Sequence, residues 1–265
     1  MKFWEVAAFT GKEAAGNPAG VCLLQQPASV AWMQACAARL AYSETAYLMP
    51  CGDTWSLRWF SPLREVDLCG HATLASAHLL FSGRLCRDSL LRFETLSGVL
   101  SARQTSEGIE LDFPAITPQF QAVPQGLLKA LGMVSCVEGF RGGSDFCIVV
   151  EDSNMIFALK PDLEKLSSFD IRGLCVTAPA APGAQLDFVS RFFAPHFGIP
   201  EDPVTGSVHC LLGPYWEARL HRSNLRAFQA SARGGYLKVA VEGARVKITG
   251  QARTLAVFDL PDEGA

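Results

Sequence analysis

Apolar and polar positions alternate along the first residues in a strand pattern, Phe3 to Ala8. A second strand, Gly20-Val21-Cys22-Leu23-Leu24, follows the turn signal Gly16-Asn17-Pro18. From Ser29 the pattern becomes helical: Ser29 is a good N-cap, and Val30 to Leu40 is rich in helix formers, with an end near Ala41. Ser43 to Met49 returns to strand, and Glu44 shares parity with Ala46 and Leu48, which assigns the three to one face. Asp53 to Phe60 alternates through Trp55, Leu57 and Trp59 until Ser61-Pro62 breaks it. Val66-Asp67-Leu68-Cys69-Gly70-His71 then leads into a helix whose residues Ala72 to Leu80 are small or apolar on nearly every face, as in a helix surrounded by sheet. Gly83 fits its C-terminal cap, and His78 reads as a core histidine with a backbone partner. A meander of three strands follows, Leu91 to Thr95, Val99 to Gln104 and Gly108 to Phe113; the proline-rich stretch Pro114 to Pro124 reads as a linker.

Beyond it the pattern predicts a short helix over Pro124 to Leu131, a strand over Val137 to Phe140, a turn at Arg141 to Asp145 and the apolar strand Phe146 to Val150. A helix over Pro161 to Phe169 precedes strands at Leu174 to Ala178 and Leu186 to Phe193. The corner Pro195 to Gly206 opens a second apolar helix, which Pro214 is expected to kink. Gly235 to Val239, Arg245 to Gly250 and Thr254 to Phe258 read as separate strands of a closing meander, with a loose tail from Asp259.

Two of these stretches repeat. Arg58-Trp59-Phe60-Ser61-Pro62 matches Arg191-Phe192-Phe193-Ala194-Pro195 at an offset of 133 (from 58 to 191). Gly70-His71-Ala72 stands opposite Gly206-Ser207-Val208 at an offset of 136 (from 70 to 206). The repeat divides the chain into related halves, residues 1–114 and 115–265, with the last strand able to cross back to the first half. Each half offers a helix N-terminus, and the two are expected to share one cleft.

Composition narrows the class. With 49% hydrophobic and 18% charged residues over a length of 265, the chain is globular and well buried. A net charge of −3 without like-charge blocks gives no reason to expect nucleic acid. No apolar run reaches the roughly 18 residues of a membrane span, so no membrane role is expected. Met1-Lys2-Phe3 enters a strand directly, which reads as no signal peptide and a cytoplasmic location. Nine scattered cysteines are expected to be buried and reduced, and the lack of a CxxC pair argues against structural zinc.

Candidate chemistry gathers at the two helix mouths and at Glu44. If the Glu44 face is buried, desolvation raises its pKa, and such a carboxylate can hold and return a proton near neutral pH. By periodicity alone the commoner outcome is a Glu turned to solvent or paired with an Arg. Gly70 lets backbone approach a ligand, the N–H groups after it suit a carboxylate or phosphate, and His71 can donate or shuttle a proton. At the second mouth Asp202 can accept from an amine or hydroxyl, while Gly206 and Ser207 offer backbone and hydroxyl donors. The plainer alternative there is a capping loop with Ser207 as the cap.

These motifs together resemble the PhzF-like family, named for a phenazine-biosynthesis isomerase and related to diaminopimelate epimerase. The carriers are Phe9-Thr10, Gly16-Asn17-Pro18-Ala19-Gly20-Val21, Ser43-Glu44-Thr45-Ala46, Asp67-Leu68-Cys69-Gly70-His71-Ala72-Thr73 and Glu201-Asp202-Pro203-Val204-Thr205-Gly206-Ser207. The resemblance implies an α+β fold of two pseudo-repeated domains, each a mixed sheet curled around a central helix, with the active site in the cleft between them. It implies a homodimer, no cofactor, and a small carboxylate substrate. In the phenazine enzyme a glutamate at the Ser-Glu-Thr position moves a proton between carbons of a dihydro-hydroxyanthranilate ring. Carried over, Glu44 is the general acid/base, His71 and Asp202 contact polar groups of the substrate, and Gly70, Gly206 and Ser207 hold its carboxylate. One departure argues against a two-thiol racemase: Cys69 stands at the first mouth, but Pro203-Val204-Thr205 offers no thiol at the second. The alternatives are a catalytically silent binding protein of the same fold and a Cys69 nucleophile with His71 as base, the last lacking an evident orienting partner.

Overall fold

The computed structural model describes residues 1–86 and 88–260. In chain order the first elements are β1 (Lys2–Thr10), β2 (Asn17–Leu23), α1 (Val30–Leu40), β3 (Thr45–Cys51), β4 (Thr54–Phe60), β5 (Glu65–Val66), α2 (Gly70–Ser82), β6 (Leu90–Thr95), β7 (Gly98–Thr105) and β8 (Gly108–Pro114). The rest are β9 (Gln119–Phe120), α3 (Gln125–Ala130), β10 (Glu138–Gly142), β11 (Asp145–Val149), α4 (Ser153–Ala158), α5 (Leu163–Ser167), β12 (Gly173–Pro179) and β13 (Phe188–Ala194). A 3-10 turn (Pro195–Phe197), β14 (Ile199–Asp202), α6 (Gly206–Leu220), β15 (Asn224–Gln229), β16 (Gly235–Glu242) and β17 (Arg245–Asp259) complete it. Two compact units result: Met1–Phe113 with the described residues from Ile248 on, and Pro114–Lys247.

In the first unit the sheet closes on itself. β1 pairs antiparallel with β2, β2 parallel with β3, β3 antiparallel with β4 and β4 parallel with β6. β6–β7–β8 is the antiparallel meander, and β17 seals the ring by pairing with both β8 and β1. The helix α2 fills the interior, with all of Gly70 to Ala77 and also Leu79 and Leu80 buried. This is why its sequence shows no polar face. A second apolar layer lies outside the ring, where α1 packs Met33, Cys36 and Ala37 against Phe3, Tyr47 and Phe60. β3 is therefore buried on both faces from Thr45 to Leu48, which blurs the alternation its sequence was expected to display.

The second unit repeats the plan. Its pairings run β9–β10–β11 antiparallel, β11–β12 parallel, β12–β13 antiparallel, β13–β15 parallel and β15–β16 antiparallel. The short strands β5 and β14 occupy equivalent places, on β4 and β13 respectively. Each is held by the same device. The Arg58 guanidinium forks onto Glu65, and that of Arg191 onto Glu201, while each arginine also lies over a phenylalanine ring, Phe60 or Phe193. The repeated Arg-x-Phe thus pins the corner that leads into each central helix.

Several expectations change. Asn17 and Pro18 already belong to β2, and the turn is made by Gly16, whose φ of +69° and closeness to Ala8 O leave no room for a side chain. Arg141 and Gly142 belong to β10, not to the turn, and α4 and β15 were not anticipated. The two closing strands Arg245 to Gly250 and Thr254 to Phe258 are one strand of 15 residues that also takes in Asp259; the expected tail beyond it, residues 261–265, lies outside the described residues. Gly250, expected to close a strand, lies inside β17. A Cβ there would sit 2.4 Å from Phe9 Cδ1, and Phe9 is a fully buried residue at φ 60°, skipped in the β1–β17 register. Pro214, expected to kink the second helix, lies inside α6, and the Cys210 carbonyl it leaves without a helical donor accepts from Ile116 N–H at 2.9 Å. His78 has a side-chain partner, Thr254 Oγ1 at 3.2 Å, in place of the expected backbone one. No disulfide joins any of the nine cysteines, but Cys51 is exposed and Cys86 and Cys136 are half-buried. No helix among the described residues is long and apolar enough to cross a membrane.

Candidate active site

The first mouth is built on the entry to α2. Cys69 takes the N-cap position with extended backbone (φ −143°) and makes no side-chain cap bond. Thr73 closes the first turn, its Oγ1 donating to Cys69 O at 2.5 Å. The loop before it is tied down by Ser97 Oγ, which donates to Asp67 O at 2.7 Å. The N–H groups of Gly70, His71 and Ala72 have no intrahelical carbonyl within reach.

Helix geometry turns His71 back over its own N-terminus, where it meets residues just ahead of β3. Glu44 precedes that strand, where the sequence pattern had placed it inside. His71 Nε2 lies 3.4 Å from Glu44 Oε2 and 3.2 Å from Ser43 Oγ, and Nδ1 lies 3.4 Å from Cys69 Sγ. The His71 side chain is only 4% exposed and that of Glu44 14%. Burial lowers the His71 pKa to about 3, so its ring is neutral at ordinary pH. The Glu44 contact is therefore that of a neutral N–H donor with a carboxylate, not an ion pair. An ionised Glu44 selects the tautomer with the proton on Nε2, and Nδ1 then accepts from the Cys69 thiol. The order thiol, imidazole, carboxylate supplies the orienting partner for Cys69 and His71 that was not evident from sequence.

The second mouth is built from different parts. Asp202 ends β14 and is buried; it accepts from Thr205 Oγ1 at 2.5 Å. Gln229, fully buried at the end of β15, clamps the corner: its Nε2 donates to Asp202 O and its Oε1 accepts from Thr205 N, each at 2.8 Å. Thr205, not Ser207, holds the N-cap position, without a side-chain cap bond. Ser207 Oγ instead accepts from Arg172 at 3.0 Å, and Arg172 forks onto the buried Asp145. Burial pushes the Asp145 carboxyl up, against the pull of the Arg172 guanidinium. His209, one turn in, donates from Nδ1 to Thr205 O at 2.8 Å, the part Thr73 plays at the first mouth. Gly206 opens the helix as Gly70 does.

The structure thus gathers Glu44 and His71 with Gly70 at one mouth, and Asp202, Gly206 and Ser207 at the other. Ser43, Arg172, Asp145 and Gln229 were missed. Ser43 stood beside Glu44 in the motif; for Arg172 and Gln229 no local pattern gives a signal.

Comparison with known proteins agrees with this architecture. The family model described as phenazine biosynthesis-like protein matches residues 6–257. A protein of Halalkalibacterium halodurans called an uncharacterized isomerase is 44% identical, covering 96% of each chain. The crystal structure of a PhzF family phenazine biosynthesis protein from Enterococcus faecalis superposes with a TM-score of 0.91 at 39% identity, over 97% of each chain. A Pseudomonas aeruginosa structure described as a predicted epimerase shares the fold at a TM-score of 0.72 and 19% identity, over 99% of each chain. The chain belongs to the phenazine biosynthesis-like protein family and is, by kind, an isomerase.

Proposed function

We propose that the protein moves a proton between carbon atoms of a small carboxylic acid, cyclic or amino-substituted, with Glu44 as the general acid/base and no cofactor. The observation that carries this reading is the Glu44 carboxylate, largely withdrawn from water and 3.4 Å from the neutral His71 ring. The ring N–H holds the carboxylate in one orientation, and its withdrawal from water limits competition from solvent for the proton it moves. Glu44 takes a proton from a carbon next to an activating group. The C–H electron pair moves into that group, and Glu44 returns a proton, the one it took or one exchanged with solvent, to another carbon, so composition and oxidation level are unchanged. The N–H groups at the start of α2 suit the carboxylate of the substrate. His71 and Asp202 as contacts to polar groups, and Gly70, Gly206 and Ser207 as carboxylate holders, belong to the same proposal, as do the homodimer and the cytoplasmic location.

Proton NMR in D2O tests it, with wild type and Glu44→Gln incubated with dihydro-hydroxyanthranilate and a panel of cyclic and amino carboxylic acids. The expected outcome is deuterium entering carbon, or a shifted double bond, with wild type. Glu44→Gln should lose about 10²–10⁴-fold in rate with its fold retained. A variant with full exchange removes Glu44 from the mechanism. Binding by both proteins without exchange in either points to the silent binding protein.

A further inference from the structure

The cluster at the first mouth has a second chemical capacity. Glu44, Cys69 and His71 each present one ligand atom, and these atoms lie within 4.8 Å of one another. We propose that they form a site for a divalent cation of the zinc class, and that such a cation, once bound, takes Glu44 out of service as an acid/base.

The spacing fits. With usual zinc bond lengths, tetrahedral ligands place nitrogen and oxygen about 3.3 Å apart and nitrogen and sulfur about 3.5 Å apart. His71 Nε2 stands 3.4 Å from Glu44 Oε2 and 4.0 Å from Cys69 Sγ. The oxygen is already in place, and the sulfur must close by about 0.5 Å, which a rotation about the Cys69 side chain provides. Charge balances too: one carboxylate and one thiolate neutralise a dication, and the His71 ring adds none. On binding, the thiol loses its proton to solvent and forms a sulfur–metal bond, and the ring proton passes from Nε2 to Nδ1 so that the Nε2 lone pair faces the metal, with no change of oxidation state. The helix N-terminus favours the thiolate this requires. A mixed oxygen, nitrogen and sulfur set selects zinc or cobalt over magnesium or calcium, which take oxygen ligands. Three protein ligands leave a fourth position for water or for a substrate carboxylate. The search for CxxC pairs does not see this site, because its first ligand stands far from the other two in sequence.

The functional consequence rests on the acid/base reading of Glu44; the binding rests on geometry alone. Cobalt(II) titration of the full chain, without substrate, separates them. Wild type should develop a thiolate-to-cobalt charge-transfer band that saturates at one ion per chain and is abolished by added Zn²⁺. Cys69→Ser should lose the band, His71→Asn should bind about 10–100-fold more weakly, and Cys51→Ser, changing the exposed cysteine, should match wild type. No saturable band in wild type, or a band surviving in Cys69→Ser, overturns the site. Wild type alone gives a second reading: one equivalent of Zn²⁺ should slow carboxymethylation of the Cys69 peptide about tenfold or more, and equal rates with and without zinc overturn the proposal. If cobalt binds and Glu44→Gln keeps full exchange, the site stands and the acid/base reading falls. If exchange depends on Glu44 and cobalt does not bind, the reverse holds.

Discussion

His209 makes the second unit measurably acid-labile. It is fully buried, its Nδ1 proton goes to Thr205 O at 2.8 Å, and its Nε2 has no hydrogen-bond partner among the described residues. Phe188 stacks against it at 5.9 Å between ring centroids. Burial lowers its pKa from 6.5 to about 4, with the Thr205 contact pulling weakly the other way. Below pH 6.5 the unfolded chain therefore takes up a proton that the folded chain refuses. Stability falls as pH falls through that window, and the loss levels off below about pH 4, where both states carry the proton. Worked from these two values, the loss between pH 7 and pH 5 is about 2 kcal/mol, at a slope near pH 5.5 of about 1.2 kcal/mol per pH unit. Against a whole stability of about 5–15 kcal/mol, that is readily measured. The assay is urea unfolding of wild type and His209→Asn at pH 7, 6 and 5, followed by tryptophan fluorescence. Asparagine offers an N–H near the place of Nδ1 and has nothing to titrate. The packing lost with the ring shifts the variant by a constant, so the difference in slope isolates the proton. His71, neutral for the same reason, and the carboxylates contribute equally to both curves. Parallel curves would show that His209 is protonated in the folded state and would refute the reasoning.

Two further outcomes follow from packing and charge. Gly250→Ala should destabilise the first unit by about 1–3 kcal/mol in chemical denaturation, because the new methyl meets the rigid, buried Phe9 ring at 2.4 Å; an unchanged midpoint would mean that the Phe9 bulge yields without cost. Arg172→Ala strands the buried Asp145 and should cost about 2–3 kcal/mol, short of the fully buried case because the Arg172 side chain is 39% exposed. A second substitution, Asp145→Asn, should recover part of that loss, and no recovery would sink the account.

The parts legible in the sequence were those whose physics is local or repeated. Ser29 caps α1 through Trp32 N–H, as its type and place dictated. The apolar surround of α2 follows from its lack of a polar face. The repeated corners could be aligned because each needs the same arginine, aromatic ring and glycine. What stayed hidden depends on distant partners. Gly250 read as the last residue of a strand, and only the Phe9 ring lying over it explains a glycine within β17. Pro214 read as a kink, and only Ile116, from the linker, shows which donor takes the carbonyl it leaves free. Glu44, just ahead of one strand, meets His71 at the start of one helix, and nothing in the spacing of the two along the chain states that contact. Arg172 stands just ahead of β12 and Gln229 ends β15, with no motif around either, and both act on corners formed by residues far along the chain.

The last strand carries a consequence for the order in which the protein is made. β17 lies between β1 and β8, yet it is synthesised after the whole second unit. When Phe113 has been added, the first unit has every element but one, and the Ile248 onward segment that completes it is 135 residues away (from 113 to 248). At about 5–20 residues per second that interval is roughly 7–27 s. Through it β1 waits with one edge unpaired, holding a surface that another chain can occupy. Nascent chains stalled before Ile248 should accordingly be cut by protease within the first unit, and those stalled well past Asp259 should resist; equal resistance would mean that the open ring is already stable. The second unit has no such wait, since its chain is contiguous. On the ribosome, the half made first is the half finished last.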